Sequence, residues 1–270
     1  MDLKFFCPYW GMNKSLLDAT LKQIKTSGYT GVELALNPDI QNVHQIKQIF
    51  DDNGLEFLVQ MPYAMGDTPT EMLTDYFKKL EILLALNPVM INSHTGRDYF
   101  TFEQNLEFIK GADTLSKAYG ITIAHETHRG RFSFAAMITE KYIEAFPDMK
   151  ITADFSHWCV VSESLLENQQ HIIDKVIPNC VYIHARVGYA QGPQVPNPAA
   201  PEYQNELKQH TKWWQQIINH QRQTHKKEFI ITPEFGPAPY MHTLPFTNEL
   251  VASQYDLNLF MKNYLSKNLI

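Results

Sequence analysis

Cysteine is nearly absent from the 270-residue chain: Cys7, Cys159 and Cys180 stand far apart, and no CxxC pair occurs. That leaves neither a disulfide framework nor a thiolate zinc site, and it suits a reducing compartment. Long apolar runs are missing too; none approaches the roughly 20 residues needed to cross a bilayer. No basic stretch followed by a long apolar one opens the chain, so no signal peptide is expected, and the expected location is cytoplasmic. Basic residues are outnumbered, 23 Lys and Arg against 29 Asp and Glu, for a net charge of −6. That balance argues against a dedicated partner such as nucleic acid or an anionic membrane. No linker or low-complexity tract divides the chain, and no glycine-rich phosphate loop follows the first apolar run, where Pro8-Tyr9-Trp10-Gly11 stands instead. The last absence disfavours a doubly wound nucleotide-binding sheet.

What the chain does have is alternation. Short apolar runs, many β-branched or aromatic, predict strands at 3–7, 31–36, 56–61, 89–93, 122–126, 151–154, 181–185 and 229–233. Between and after them, amphipathic patterns predict helices at 16–26, 43–53, 70–86, 102–119, 136–146, 167–177, 203–223 and 250–265. Gly28, Gly54 and Gly120 stand just past helical stretches, and Asn87-Pro88 and Phe146-Pro147 end two others. Eight strand–helix units at about 34 residues each are the period of a (β/α)₈ TIM barrel, an α/β fold, expected here as one domain over residues 1–270. The connections 186–202 and 235–249 are long and proline-rich and follow late strands. They fall at the C-terminal mouth, where such barrels build their active sites.

Polar residues gather at the ends of the later strands: His125-Glu126 after the fifth, Asp154 after the sixth, His184-Ala185-Arg186 after the seventh and Pro233-Glu234 after the eighth. Around a closed barrel these ends are neighbours, so Glu126, Asp154, His184 and Glu234 converge. Three unpaired carboxylates in one pocket would repel and raise one another's pKa values; a divalent cation removes that conflict. Three oxygen donors and one imidazole suit one Mn²⁺, Mg²⁺ or Co²⁺ ion, with zinc also able to take the place.

With Glu126, Asp154-Phe155-Ser156-His157, His184 and Glu234 in this order, the chain resembles the xylose-isomerase-like (β/α)₈ family of sugar isomerases, ketose 3-epimerases, inosose dehydratases and AP endonucleases. The resemblance implies that the first, second, third and fourth of these acidic or imidazole groups, Glu126, Asp154, His184 and Glu234, bind the metal. It implies that His157 touches substrate or a second metal. It also implies a small sugar or polyol substrate that loses a proton beside a carbonyl, giving a metal-stabilised enediolate. Glu126 and Glu234 would be the catalytic bases. Two bases on opposite faces give epimerisation, one alone gives isomerisation, and loss of a β-hydroxyl from the same species gives dehydration, so a dehydratase is the alternative to an isomerase or epimerase.

A non-catalytic sugar-binding barrel is a weaker alternative, since the metal quartet is complete. The nuclease alternative fails on ligand count: the third strand ends Gln60-Met61-Pro62, without a histidine, and no Asp-x-His follows the seventh. Arg186 follows His184 by two residues, so strand alternation turns both toward the barrel mouth, and Arg186 joins His157 as a catalytic candidate. His94 reaches the same rim. Glu33 either lines the pocket or is a buried structural carboxylate. His128, Arg129 and Arg131 either take an anionic substrate group or form a solvated loop. Trp10, Tyr63 and Trp158 are candidate platforms for a sugar's apolar face, and Tyr189 and Gln194 in the 186–202 connection are candidate partners for its hydroxyls. Trp213 and Trp214 are expected in packing or a subunit contact, and related barrels often pair, which leaves a homo-oligomer open.

Overall fold

The computed structural model describes every residue except 13–16, 40, 42 and 44. Eight strands, β1 (Asp2–Pro8), β2 (Gly31–Ala35), β3 (Glu56–Met61), β4 (Ile91–Ser93), β5 (Ile123–Glu126), β6 (Ile151–Ala153), β7 (Cys180–His184) and β8 (Glu228–Thr232), pair in parallel in chain order. The ring closes where β1 pairs with β8, from Asp2 opposite Glu228 to Phe5 opposite Ile231. Outside it lie α1 (Leu17–Thr26), α2 (Ile46–Asn53), α3 (Pro69–Leu84), α4 (Phe102–Tyr119), α5 (Ala136–Ala145), α6 (Ser156–Val161), α7 (Gln170–Val176), α8 (Gln204–Gln223) and α9 (Gln254–Asn268). Among the described residues no helix is long and apolar enough to cross a membrane.

All eight expected strands form, with ends shifted by two residues at most. The helices differ more. Leu16 and His44, expected at the head of the first helix and within the second, lie outside the described residues. The last helix starts four residues later than its pattern suggests, at Gln254, where the Ser253 hydroxyl caps the Asp256 amide. Helices α3 and α4 begin at capping boxes, Thr68 with Glu71 and Thr101 with Gln104. Helix α6 has no counterpart in the sequence pattern. It starts two residues after Asp154, whose Oδ1 accepts the Ser156 amide proton at 3.1 Å and so turns the chain at the strand end.

The period-two alternation of each strand fixes what faces inward. Leu58 and Gln60 share one face of β3, Ala124 and Glu126 one face of β5, and Tyr182 and His184 one face of β7. Phe6, Leu58, Ala124 and Tyr182 form part of a small apolar cluster separate from the large core between strands and helices. The polar member of each pair is therefore one step nearer the C-terminal mouth, on top of an apolar floor. Trp213 and Trp214, on α8, are buried in the large core, so they pack within the chain.

Candidate active site

The four expected ligands meet. One donor atom each from Glu126, Asp154, His184 and Glu234 lies within 4.8 Å of the other three, and all four residues are buried. Glu126 Oε1, His184 Nδ1 and Glu234 Oε2 are shut off from solvent with no hydrogen-bond partner. His184 Nδ1 comes to 2.8 Å from Glu234 Oε2 and 3.6 Å from Glu126 Oε2 without making one. Buried polar atoms are rarely left so, because each carries a desolvation cost of about 1–3 kcal/mol. Three partnerless buried atoms on three of these four clustered residues, drawn from carboxylates and an imidazole, fit a divalent cation.

The surroundings orient this set. His184 Nε2 lies 2.9 Å from Glu33 Oε1, and the Tyr182 hydroxyl donates to Glu33 Oε2 at 2.9 Å. Asn92 Nδ2 donates to Glu126 Oε2 at 2.6 Å and to Glu33 Oε1 at 3.3 Å. Gln60 Nε2 donates to Glu234 Oε1 at 3.1 Å, and His94 Nε2 stands 2.8 Å from Glu126 Oε2. Each of the two glutamates thus has one oxygen held and one orphaned. Asp154 differs. Its Oδ1 takes the Ser156 amide and hydroxyl, and its Oδ2 takes the Arg186 guanidinium, so a cation would share Oδ2 with Arg186.

Charge is arranged accordingly. Burial alone would raise the Glu126 carboxyl, but the His94 and His184 rings beside it together hold it well below the usual carboxylate range. Burial pushes Asp154 up to about 6 against the pull of Arg186. For Glu33, burial outweighs the attraction of His184 and raises the carboxyl.

Above the quartet opens a cavity of about 180 Å³ lined by Trp10, Tyr63, His94, Glu126, Arg186 and Glu234 among others. Those expected side chains are brought together. Gln60, His128 and Tyr240 line it as well. Tyr240 lies in the β8–α9 connection, its ring 4.7 Å from the Arg186 guanidinium and edge-on to Trp10 at 5.5 Å. The sequence reading missed Tyr240 and Gln60; for Gln60, the alternation on β3 that puts it on the Leu58 face was the available signal.

Four expectations are corrected. Trp158 is no sugar platform: it is fully buried, stacked on Phe155 at 4.7 Å, and its Nε1 donates to Ser133 O at 2.8 Å. Helix α6 turns it away from the mouth. His157 does not line the cavity; its buried ring sits behind Arg186, with Nε2 2.8 Å from the guanidinium, so direct substrate contact is not what the structure shows. Gln194 is committed to the next loop, accepting the Gly236 amide at 2.8 Å and donating to its carbonyl at 3.4 Å. Tyr189 packs toward Tyr203 at 5.9 Å, away from the cavity lining. The 186–202 connection therefore supplies Arg186 to the cavity wall and otherwise braces its neighbour. Gly236 is part of that brace, since a Cβ there would meet the Trp10 ring at 2.2 Å. Glu33, left between two roles, is a buried carboxylate holding His184.

No family model and no curated protein matches the sequence. Solved structures do. A 3-keto-D-glucoside 4-epimerase from E. coli superposes with a TM-score of 0.62 at 12% identity, over 98% of this chain and 100% of that one. A xylose isomerase-like TIM barrel protein from Mycobacterium smegmatis, in complex with magnesium, gives 0.61 at 10% identity, over 99% and 98%. An endonuclease IV from Thermus thermophilus gives 0.60 at 10% identity, over 98% and 99%. The chain has the fold of the xylose-isomerase-like TIM barrels. That fold carries an epimerase and a nuclease alike, so it does not choose the reaction.

Proposed function

We propose that the chain is a divalent-metal-dependent isomerase or epimerase acting on a small sugar or sugar derivative, with residues 1–270 working as one barrel domain. The observation that carries this reading is the trio of buried, partnerless donors, Glu126 Oε1, His184 Nδ1 and Glu234 Oε2, beside Asp154 below a small cavity. Held there, a divalent cation would polarise a substrate carbonyl and offset the negative charge that deprotonation of the neighbouring carbon creates.

The chain's own groups supply the rest. Glu126 and Glu234 come from β5 and β8, on different sides of the barrel, and a carboxylate at each side can take or return a proton on its own face of the substrate. They are not equivalent. The held oxygen of Glu126 has Asn92 and His94 as neighbours, whereas that of Glu234 accepts only from Gln60. The other oxygen of Glu234 has His184 Nδ1 at 2.8 Å and Arg186 Nη2 at 3.4 Å beside it. Trp10, Tyr63 and Tyr240 give the cavity its apolar walls.

The test is carbon-bound proton exchange. The Mn²⁺-loaded protein is incubated with aldoses, ketoses and keto-inositols in D₂O and read by NMR after the metal is removed. Exchange at the carbon beside the carbonyl, with a new epimer or isomer, is expected, and Glu234→Gln should abolish it. Vinylic signals would move the assignment to a dehydratase. No exchange with any member of the panel would overturn it.

A further inference from the structure

We propose that Arg129 and Arg131, next to two residues that line the cavity, bind an anionic group, a carboxylate or a phosphate, at the end of the substrate remote from the metal. This deepens the function proposed above and rests on it for the identity of the cavity.

Both arginines sit in the connection after β5, which turns sharply. Gly130 takes a left-handed φ of 75°, and the Arg131 amide donates back to His128 O at 3.1 Å. The turn is pinned from below: Ser133 donates to Glu126 O, and Trp158 donates to Ser133 O. From this fixed base the two side chains diverge. The Arg129 guanidinium lies 5.2 Å from the centre of the Tyr240 ring, and Arg131 Nη2 donates to Pro62 O at 3.3 Å. Tyr240 and Pro62 both line the cavity, so each cation stands next to a lining residue, Arg129 exposed and Arg131 half-buried.

Neither cation is spent on an ion pair. Among the described residues no carboxylate lies within ion-pair distance of Arg129 or Arg131; Arg186, by contrast, pairs with Asp154 and approaches Glu234 at 3.4 Å. Arg131 Nη1 is closed off from solvent with no hydrogen-bond partner. An arginine donor in that state lacks its acceptor. Two guanidiniums beside a cavity this small, neither paired with a carboxylate, suit an anionic group on what enters it, and a planar fork is suited to two oxygens of one anion.

The test compares probes that share a carbon chain: glucitol, gluconate and glucitol 6-phosphate, titrated calorimetrically into the protein with EDTA and again with Mn²⁺. At least one anionic probe is expected to bind about tenfold or more tightly than glucitol in both conditions, and the Arg129→Gln/Arg131→Gln protein is expected to lose that preference. Which anion wins identifies the group. Arg131→Lys, which keeps a charge without the fork, should hold part of the preference and serves if the double variant unfolds. Equal binding of all three probes, no binding of either anion, or an undiminished preference in the double variant would overturn the proposal. Because the EDTA series reads the arginines alone, a failed metal site shows separately, as absent Mn²⁺ binding in the wild type.

Discussion

Glu33 Oε1 lies 2.9 Å from His184 Nε2, and the imidazole consequently presents Nδ1 toward Glu126 and Glu234. A carboxylate behind a histidine fixes both the ring's direction and which nitrogen carries the proton, and such partners typically contribute about 10- to 100-fold in metal affinity. Glu33→Gln is therefore expected to weaken Mn²⁺ binding by about that factor while stoichiometry at saturation stays at one. Titration followed by electron paramagnetic resonance measures it; unchanged affinity would mean that Tyr182 and Asn92 alone suffice to orient the ring.

Removal of a ligand is expected to go further. Glu126→Gln, Asp154→Asn and Glu234→Gln should each fold yet fail to retain stoichiometric Mn²⁺ after dialysis. Elemental analysis beside a thermal melt decides it. Full metal content in Glu126→Gln and Glu234→Gln together would exclude the quartet as the binding site.

Gln194 is expected to matter for stability and not for metal. Truncation to alanine leaves the buried Gly236 amide without its 2.8 Å acceptor, a loss of about 1–3 kcal/mol. Urea denaturation of Gln194→Ala reads this directly. A protein with undiminished stability that had lost only substrate affinity would return Gln194 to the cavity wall.

Acid should destabilise the fold through His210. Burial pushes this ring down to about 4, while it accepts the Gly188 amide at 3.2 Å and reaches Glu206 O at 2.9 Å. Between about pH 4 and the unfolded value near 6.5 the unfolded chain holds the extra proton, so stability falls as pH drops through that window, by roughly 3 kcal/mol for this group. Above the window the contribution is fully present. His210→Gln should flatten the decline, seen as a smaller difference in Tm between pH 7 and pH 5 than in the wild type. Equal differences would place the acid sensitivity elsewhere.

Much of this was legible in the sequence, because the period of a strand is rigid. Once Tyr182, His184 and Arg186 are set on one face, the ends of β5 to β8 must bring Glu126, Asp154, His184 and Glu234 together, whatever the loops do. Legibility stops where the strand stops. Trp158 follows Asp154 by four residues, but a helical turn whose first amide, that of Ser156, is bonded to Asp154 intervenes and carries the indole into the core. Tyr240 belongs to a loop whose path depends on Gln194 and Trp10, residues far away in sequence, and nothing local announces that it will cover Arg186. Gln60 and Asn92 sit on the correct faces of β3 and β4, yet an amide at a strand end has no distinctive pattern; only the carboxylates it touches give it a role.

All four candidate ligands lie on or just after β5 to β8. Glu33, Gln60, Asn92 and His94, on or just after β2 to β4, steady His184, Glu234 and Glu126, whereas Asp154 is held from its own half by Ser156 and Arg186. Glu234 follows a strand that must pair with both β1 and β7. The fourth donor therefore comes into place only when the first and last strands of the ring have met, so a nest for a cation is a property of the closed barrel and of no smaller piece of it.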